Sequence, residues 1–244
     1  MQRRIELDGV SNFRDLGGYR AGDGRTVRWR TLFRSDTLAG LSDADLAVVE
    51  RLGISAACDL RYGEERELEP SRLLGHDRIA VLALGLDARP GATFLDSFEV
   101  AVDKEDAARR YLLENYAEYP FRYAKAYRTM AERLIVGERI VVHCTAGKDR
   151  AGTAAAMLLT ALGVPRETVF EDYLLTNRYW DRGDRAPADM DPGAVAAIFS
   201  AREEYLASAF AAVEARYGSA ETYLETEVGL DETKLEALRA ACLE

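Results

Sequence analysis

The sequence predicts an α/β fold in which a central, largely parallel sheet is flanked by helices and the C-terminal third is helical. In the middle of the chain, short apolar segments alternate with segments of helical periodicity, and this order generates parallel strands with helical crossovers. Apolar residues make up 48% of the 244, enough for a full core. We therefore expect one domain over residues 1–244, with residues 182–244 packed on the core or covering its functional site.

The first third of the chain is expected to form strands and one capped helix. Glycine-punctuated segments between Val10 and Arg34 are typical of short strands joined by turns, and residues 27–33 form the predicted returning strand. Ser42 is the expected N-cap of a helix that ends at Gly53. Residues 54–60 and 79–84 are the next predicted strands, and residues 87–100 form a loop.

Helices dominate the rest of the chain. The pattern predicts helices over about 105–118 and 121–135, separated by Pro120, then a short apolar strand over 139–143. Residues 150–162 are rich in alanine and leucine and predict a buried helix, and Pro165 opens another that runs to about residue 177. Residues 182–193 are a predicted linker. One helix is expected over 194–217, closed by Gly218, and a last helix is capped by Asp231.

Charge and composition exclude several classes of partner. The net charge of −10 repels nucleic acid and anionic membranes over much of the surface, so an anionic substrate needs local cations. No apolar run approaches the roughly 18 residues of a membrane span, and the N-terminus lacks a secretory signal. Cys58, Cys144 and Cys242 do not form a disulfide framework. We expect no integral membrane association and a reducing cytoplasm, with export by a route that leaves no signal still open.

The chemistry is expected between the strand over 139–143 and the helix that follows it. Cys144 follows this strand directly, and five residues separate it from Arg150. Ligands of open α/β sheets bind at the carboxyl ends of the strands, which is where this segment lies. Unpaired N–H groups at a helix N-terminus attract anions, and the same field favours the thiolate of Cys144. Arg150 is suited to holding two phosphate oxygens. This pattern predicts attack by Cys144 on phosphorus through a cysteinyl-phosphate. The expected phosphate-binding residues beside Arg150 are Thr145, Ala146, Gly147, Lys148, Ala151 and Gly152.

The segment from His143 to Arg150 matches His-Cys-x5-Arg, the signature of the protein tyrosine phosphatase superfamily. The chain resembles the bacterial branch that also acts on phosphoinositides. Matching segments lie at residues 12–18, 32–36, 59–61 with Glu64 or Glu65 after them, and 172–177. The resemblance runs from about residue 8 to 180. It implies hydrolysis of phosphotyrosine, sometimes of phosphoserine or phosphothreonine, and of lipid phosphates, on a phosphorylated protein or phosphoinositide, with no metal or other cofactor.

The resemblance also suggests roles around the loop. A lysine such as Lys148 goes with highly anionic substrates, because a second cation serves a second phosphate. The leaving oxygen needs a proton from a carboxylic acid, for which Asp149 is the first candidate and Asp87 and Asp59 are alternatives. His143 is expected to orient the loop by hydrogen bonding rather than to transfer a proton.

One position departs from the family pattern. Relatives usually place Ser or Thr directly after the arginine, where the hydroxyl assists release of the thiolate from the intermediate. This chain has Ala151 there, which predicts slow breakdown of the phosphoenzyme unless Thr145 or Thr153 compensates.

A second cysteine raises a redox question. Cys58 ends a strand expected beside that of Cys144, and a nearby thiol can trap an oxidised cysteine as a disulfide. An inert buried cysteine is the favoured alternative.

Three arginines in the matching segments have open roles. Arg14 is expected to be a structural ion-pair partner, whereas Arg34 and Arg61 fit either a buried pair or a basic mouth. The competing functions are a rhodanese-like or arsenate-reducing enzyme and a phosphate-binding pseudophosphatase.

Overall fold

The computed structural model describes residues 2–88, 90 and 101–244. At its centre lies a five-stranded sheet in the order β1-β2-β5-β3-β4. β1 is antiparallel to β2, and the other three neighbouring pairs are parallel. The predicted α/β fold with a largely parallel sheet is therefore confirmed. The strands are β1 (Arg14–Asp15), β2 (Leu32–Ser35), β3 (Ala56–Asp59), β4 (Ala80–Ala83) and β5 (Ile140–His143).

Helices flank this sheet. Those that precede or follow its strands are α1 (Asp43–Arg51), α2 (Gly63–Leu68), α3 (Lys104–Arg122), α4 (Ala124–Ile135) and α5 (Arg150–Ala161). The C-terminal part holds α6 (Arg166–Leu174), α7 (Thr176–Tyr179), α8 (Pro192–Phe199), α9 (Glu203–Tyr217), α10 (Ala220–Tyr223), which continues into a π-helical turn (Leu224–Val228), and α11 (Glu232–Cys242).

The two faces of the sheet bury different sets of side chains. Val142 of β5 belongs to the large core formed with α3, α4 and α5. Its neighbour Val141 points to the other face, where it packs with Val49 of α1. All four residues of β5 are buried, as expected of a central parallel strand covered on both faces. β5 lies between β2 and β3, so Cys144 emerges from the middle of the sheet edge.

The predicted helix boundaries at capping residues are confirmed. The Ser42 hydroxyl accepts a hydrogen bond from the main-chain N–H of Asp45 (3.1 Å) at the start of α1. Asp231 accepts from the N–H of Lys234 (2.9 Å) at the start of α11. Gly218 ends α9 with a φ of +81°, which a residue without a side chain adopts readily.

Two predictions about local structure are wrong. Pro120 does not separate two helices, because α3 continues to Arg122 and the break falls at Tyr123. A proline inside a helix removes one hydrogen bond and crowds the carbonyl four residues before it, but Tyr119 and Pro120 are buried, and this packing holds the last turn of α3. The expected returning strand over 27–33 is β2 instead, and Val27 pairs with Leu243 in an isolated bridge.

The single helix predicted over 194–217 is also wrong, since the chain breaks between α8 and α9. Ser200 is extended (φ −99°, ψ 142°). The Asn177 side chain donates to the Ala201 carbonyl and accepts from the Ala201 N–H, both at 2.7 Å. These two bonds replace the helical ones, and they come from a residue 24 positions away that no local pattern reveals.

The C-terminal helices pack on the body of the protein. α8 and α9 lie on α3, and α11 lies on α4. The last residue is also held, since the main chains of Thr26 and Glu244 exchange hydrogen bonds of 2.8 and 2.9 Å. Across the described ranges, none of the helices is long and apolar enough to cross a bilayer.

Candidate active site

The site lies where three parallel strands end at one level. Ser35 of β2 and Asp59 of β3 both pair in register with His143 of β5. The next residue along β5 is Cys144, which is 1% exposed. The main-chain N–H of Leu60 donates to the His143 carbonyl (2.9 Å), so the ladder runs up to the cysteine. The nucleophile predicted from the sequence therefore sits at the carboxyl edge of the sheet.

Donors from outside the loop hold three successive loop carbonyls. Thr37 donates its main-chain N–H to the Thr145 carbonyl at 3.1 Å. The Asn12 side chain donates to the Ala146 carbonyl at 3.0 Å, and Arg34 donates to the Gly147 carbonyl at 2.5 Å. These bonds turn the carbonyl oxygens away from the centre of the loop, which leaves the intervening N–H groups on its inner side.

The inner side of the loop is built for an anion. Within the described residues, no acceptor is hydrogen-bonded to the main-chain N–H groups of residues 145–149. The first turn of α5 follows at once, and its N–H groups have no intrahelical partner either. Gly147 is required for this path, because its φ is +66° and a Cβ there would lie 2.5 Å from the Ser35 carbonyl oxygen.

Arg150 is held over the loop by Glu65. The two guanidinium ends donate to the two carboxylate oxygens of Glu65, at 2.5 and 2.8 Å. The Thr145 hydroxyl adds a third hydrogen bond to the same carboxylate at 2.5 Å. Burial alone would raise the pKa of Glu65, but the bonds and charge of Arg150 outweigh it and lower that pKa to about 2. The guanidinium also lies 4.6 Å from the ring of Tyr62.

A buried ion cluster supports the back of the loop. Asp172 accepts from Arg14 (3.1 Å) and from Arg34 (2.9 Å), and Tyr19 donates to it at 2.9 Å. Burial by itself would raise the pKa of Asp172, but the charges of the two arginines lower it to about 2. Arg34 thus links Asp172 to the Gly147 carbonyl, so this cluster fixes the loop from behind.

Burial and ion-pair partners decide the roles of Arg14, Arg34 and Arg61. Arg14 is structural, as expected. Arg34 is fully buried and serves the loop carbonyl rather than a basic mouth. Arg61 is also buried, where it forms a bidentate pair with Asp59 and donates to the Glu69 carbonyl at 2.6 Å.

Lys148 is directed toward the C-terminal helices. Its Nζ donates to the carbonyl of Ile198 and lies 3.3 Å from that of Ser200, at the end of α8. It also lies 3.3 Å from Asp149 Oδ1, and the residue is 1% exposed. Lys148 is therefore neither a solvated surface lysine nor directed into open solvent, and its expected role toward a second phosphate stays a prediction.

Asp149 occupies the N-cap position of α5 without capping it. Its Oδ1 accepts from the hydroxyl of Tyr116 at 2.9 Å, and that hydroxyl lies 2.6 Å from the Tyr173 hydroxyl. The carboxylate is 23% exposed, unlike the buried tyrosines behind it. Among the residues predicted as proton donors, it is the one that combines membership of the loop with access to solvent.

The other predicted acids fit less well. Asp59 is 1% exposed and committed to Arg61. Asp87 is fully exposed and lies 3.8 Å from Arg66, while most of the loop that follows it falls outside the described residues. Both roles stay predictions.

His143 ends β5 directly before the nucleophile. It is fully buried, its Nε2 lies 3.7 Å from Asp59 Oδ2, and a contact with the main chain of Cys144 favours its protonated form. Burial lowers the pKa of His143 to about 4, so the ring is neutral at physiological pH. The expectation that His143 orients the loop by hydrogen bonding stays a prediction.

The hydroxyls proposed to compensate for Ala151 are already engaged. Thr145 donates to Glu65, and the Thr153 hydroxyl donates to the Asp149 carbonyl at 2.9 Å. Ala151 itself is fully buried. Neither threonine is therefore free to replace the hydroxyl that relatives place directly after the arginine. Gly152 follows, and a Cβ there would meet Arg34 at 2.9 Å, so its close packing against the ion cluster requires glycine.

Cys58 is unsuited to a disulfide with Cys144. It pairs in register with Val142, so Cys144 lies two residues further along the adjacent strand. Residues offset by two positions on adjacent strands lie further apart than directly opposite residues, whereas a disulfide needs Cβ atoms about 4 Å apart. Burial also raises the pKa of Cys58 to about 12, and both thiols are free. The favoured alternative, an inert buried cysteine, fits this geometry.

Three residues of the site were not assigned a role from sequence. Glu65 was visible only as one of two glutamates after a matching segment, and its partner Arg150 lies 85 positions away. Asp172 belonged to another matching segment, and Tyr116 lies outside all of the matching segments. Over the described residues, no cluster of His, Cys, Asp or Glu could hold a metal ion.

Comparison with known proteins identifies the family of this chain. The model of the family described as "Tyrosine phosphatase family" matches residues 5–244. A Cupriavidus necator protein with the provisional name tyrosine-protein phosphatase is 35% identical over 71% of this chain and 63% of its own length. The triple specificity protein phosphatase PtpB of Mycobacterium tuberculosis is 33% identical over 70% of this chain and 68% of its own length.

Two further similarities are weaker. A tyrosine-protein phosphatase of Nostoc commune is 26% identical over 66% of this chain and 55% of its own length. The chain therefore spans between about half and two thirds of these curated relatives. Among solved structures, TpbA of P. aeruginosa is 18% identical, with a TM-score of 0.33 over 76% of this chain and 89% of that one. With a family match over residues 5–244, this chain belongs to the tyrosine phosphatase family.

Proposed function

We propose that the chain is a cysteine-dependent phosphatase that hydrolyses phosphotyrosine through a cysteinyl-phosphate, and that it also accepts phosphoserine, phosphothreonine or phosphoinositides. One observation carries the proposal. In the described part of the chain, no protein acceptor is bonded to the N–H groups of residues 145–149, which directly follow Cys144, and Arg150 is held beside them by Glu65. A phosphoryl group is the anion that such a loop, thiol and guanidinium fit together.

The first half of the reaction transfers the phosphoryl group to sulfur. The Cys144 thiolate attacks phosphorus, the S–P bond forms and the bond to the leaving oxygen breaks. The leaving oxygen takes the electron pair and a proton from Asp149. Arg150 and the loop N–H groups bind the equatorial oxygens, where charge is spread in the transition state. Glu65 supports this step by holding the guanidinium at a fixed angle.

The second half releases phosphate. Water attacks phosphorus, the S–P bond breaks, and Asp149 takes the proton from the water. The thiolate leaves without help from a hydroxyl after the arginine, because that residue is Ala151. We propose that this half limits turnover.

Lys148 is the proposed determinant of the preference for highly anionic substrates. Its Nζ is bound to the Ile198 and Ser200 carbonyls, so a second phosphate has to replace those neutral acceptors. A phosphate oxygen binds an ammonium group more strongly than a carbonyl does, which favours the exchange.

The function is tested by activity and by variants together. Wild type should release p-nitrophenol from its phosphate ester, and Cys144→Ser should abolish release while leaving the fold intact. Lys148→Ala should lower kcat/KM more for a phosphoinositide than for a phosphotyrosine peptide. Lys125→Ala is the matched control, since Lys125 is exposed on α4. Activity that survives Cys144→Ser would refute the mechanism, and binding of phosphate without turnover would favour the pseudophosphatase.

Location and domain extent remain part of the proposal. A cytoplasmic location rests on the three cysteines that form no disulfide framework, and a single functional unit over residues 1–244 agrees with the extent of the family match. The family match favours the phosphatase over the rhodanese-like or arsenate-reducing alternative.

A further inference from the structure

Asp149 occupies the N-cap position of α5, but its carboxylate contacts another helix. An aspartate at the N-cap of a helix ordinarily accepts a hydrogen bond from an N–H group of the first turn. Asp149 makes no such bond, and its carboxylate is turned to Tyr116 of α3. The first-turn N–H groups of α5 are thereby left available for an anion, so Tyr116 affects both the carboxylate and the loop.

The contacts distinguish the two oxygens of Asp149. Oδ1 accepts from the Tyr116 hydroxyl at 2.9 Å and lies 3.3 Å from Lys148 Nζ. Within the described residues, no donor is bonded to Oδ2, and the side chain is 23% exposed. Because the Tyr116 hydroxyl donates to Oδ1 and the Lys148 ammonium lies beside that oxygen, a proton taken up by the carboxyl group goes to Oδ2. That oxygen is the one free to meet a substrate.

Tyr116 is itself fixed from several sides. It is fully buried, and its ring centroid lies 5.4 Å from that of Tyr119 and 5.7 Å from that of Tyr205. Its hydroxyl lies 2.6 Å from that of Tyr173. A hydroxyl has one proton to donate, so when Tyr116 donates to Asp149 it accepts from Tyr173. Burial raises the pKa of Tyr116 well above its ordinary value, so it remains a donor.

We propose that Tyr116, backed by Tyr173, is a positioning residue that holds Asp149 by Oδ1 and presents Oδ2 to the leaving group of the substrate. This inference rests on the proposed function and adds the residues that orient its general acid. The step itself is unchanged: the proton on Oδ2 passes to the leaving oxygen as the S–P bond forms and the P–O bond breaks, which leaves Asp149 ionised.

The test uses leaving groups that differ in their need for a proton. Phenyl phosphate has a poor leaving group that requires protonation, whereas dinitrophenyl phosphate releases a stable anion. Tyr116→Phe should lower kcat/KM for phenyl phosphate about tenfold, a part of the usual contribution of acid catalysis, and change it less than about twofold for dinitrophenyl phosphate. Tyr173→Phe should show the same selectivity with a smaller loss, and it keeps the test available if Tyr116→Phe does not fold.

Two further variants complete the design. Tyr223→Phe is the matched control, because its buried hydroxyl donates to the Pro120 carbonyl (2.6 Å), away from Asp149, and it should leave both rates unchanged. Asp149→Asn should show the largest selective loss.

The outcomes separate the inference from the function. Equal losses on both substrates in Tyr116→Phe, no loss on either, or an unselective Asp149→Asn would overturn the inference. Failure of wild type to cleave either substrate would instead overturn the proposed function.

Discussion

Replacing Glu65 by glutamine removes the charge that holds Arg150 but keeps the shape of the side chain. The Glu65 side chain is 19% exposed, so solvent screening of this pair is slight. The difference between its pKa of about 2 in the folded chain and the ordinary value of 4.5 corresponds to about 3 kcal/mol of stability. Glu65→Gln should therefore lower the free energy of unfolding at pH 7 by about 3 kcal/mol.

The sign of the pH dependence gives a sharper form of this prediction. Because the folded-state pKa lies below the unfolded one, the unfolded chain binds more protons between about pH 2 and pH 4.5. The contribution of Glu65 is fully present above pH 4.5 and is lost as the pH falls toward 2. The difference in the free energy of unfolding between wild type and Glu65→Gln should decrease over the same pH range and nearly vanish as the pH approaches 2.

Urea unfolding followed by circular dichroism at a series of pH values measures this difference. Glu67→Gln is the matched control, since Glu67 lies on the same helix, is exposed, and undergoes the same loss of charge. It should change the free energy of unfolding by no more than a few tenths of a kcal/mol. A Glu65→Gln effect as small as the control, or one that stays constant down to the lowest pH, would refute the proposed ion-pair contribution.

Three further predictions concern the intermediate, the helix break and the second cysteine. Ala151→Ser should raise turnover and shrink any burst of product in rapid-mixing kinetics, whereas unchanged kinetics would contradict slow phosphoenzyme breakdown. Asn177→Ala removes both hydrogen bonds to Ala201 and should lower the free energy of unfolding, measured in urea, by about 1–3 kcal/mol. An unchanged free energy of unfolding would contradict the role of Asn177 in the helix break. Peptide mapping after mild peroxide should detect oxidised Cys144 without a crosslink to Cys58, and a crosslinked peptide would show that the strands move.

The sequence predicted the parts of the site that lie close together along the chain. The strand, Cys144, Gly147, Arg150 and the helix after them form one continuous pattern, and an apolar strand between turn-rich segments already implies its place in a sheet. Caps such as Ser42 were equally accessible, because a capping residue and its partner are three positions apart.

The remaining parts depend on contacts between distant segments. Glu65 reaches Arg150 across 85 positions, and Tyr116 reaches Asp149 across 33. Helical periodicity could not reveal the break at Ser200, because side chains on both sides of it keep the apolar spacing of one helix. In each case the deciding hydrogen bond comes from an element that the local pattern does not contain.

The most direct test of the central claim is to find the phosphoryl group on sulfur. Wild type and Ala151→Ser are mixed with an aryl phosphate, quenched in acid after a fraction of a turnover, digested, and analysed by mass spectrometry. We predict a phosphoryl group on Cys144, more abundant in wild type than in Ala151→Ser, and none in Cys144→Ser. Turnover with no phosphoryl group on Cys144, or with one on another residue, would contradict the account.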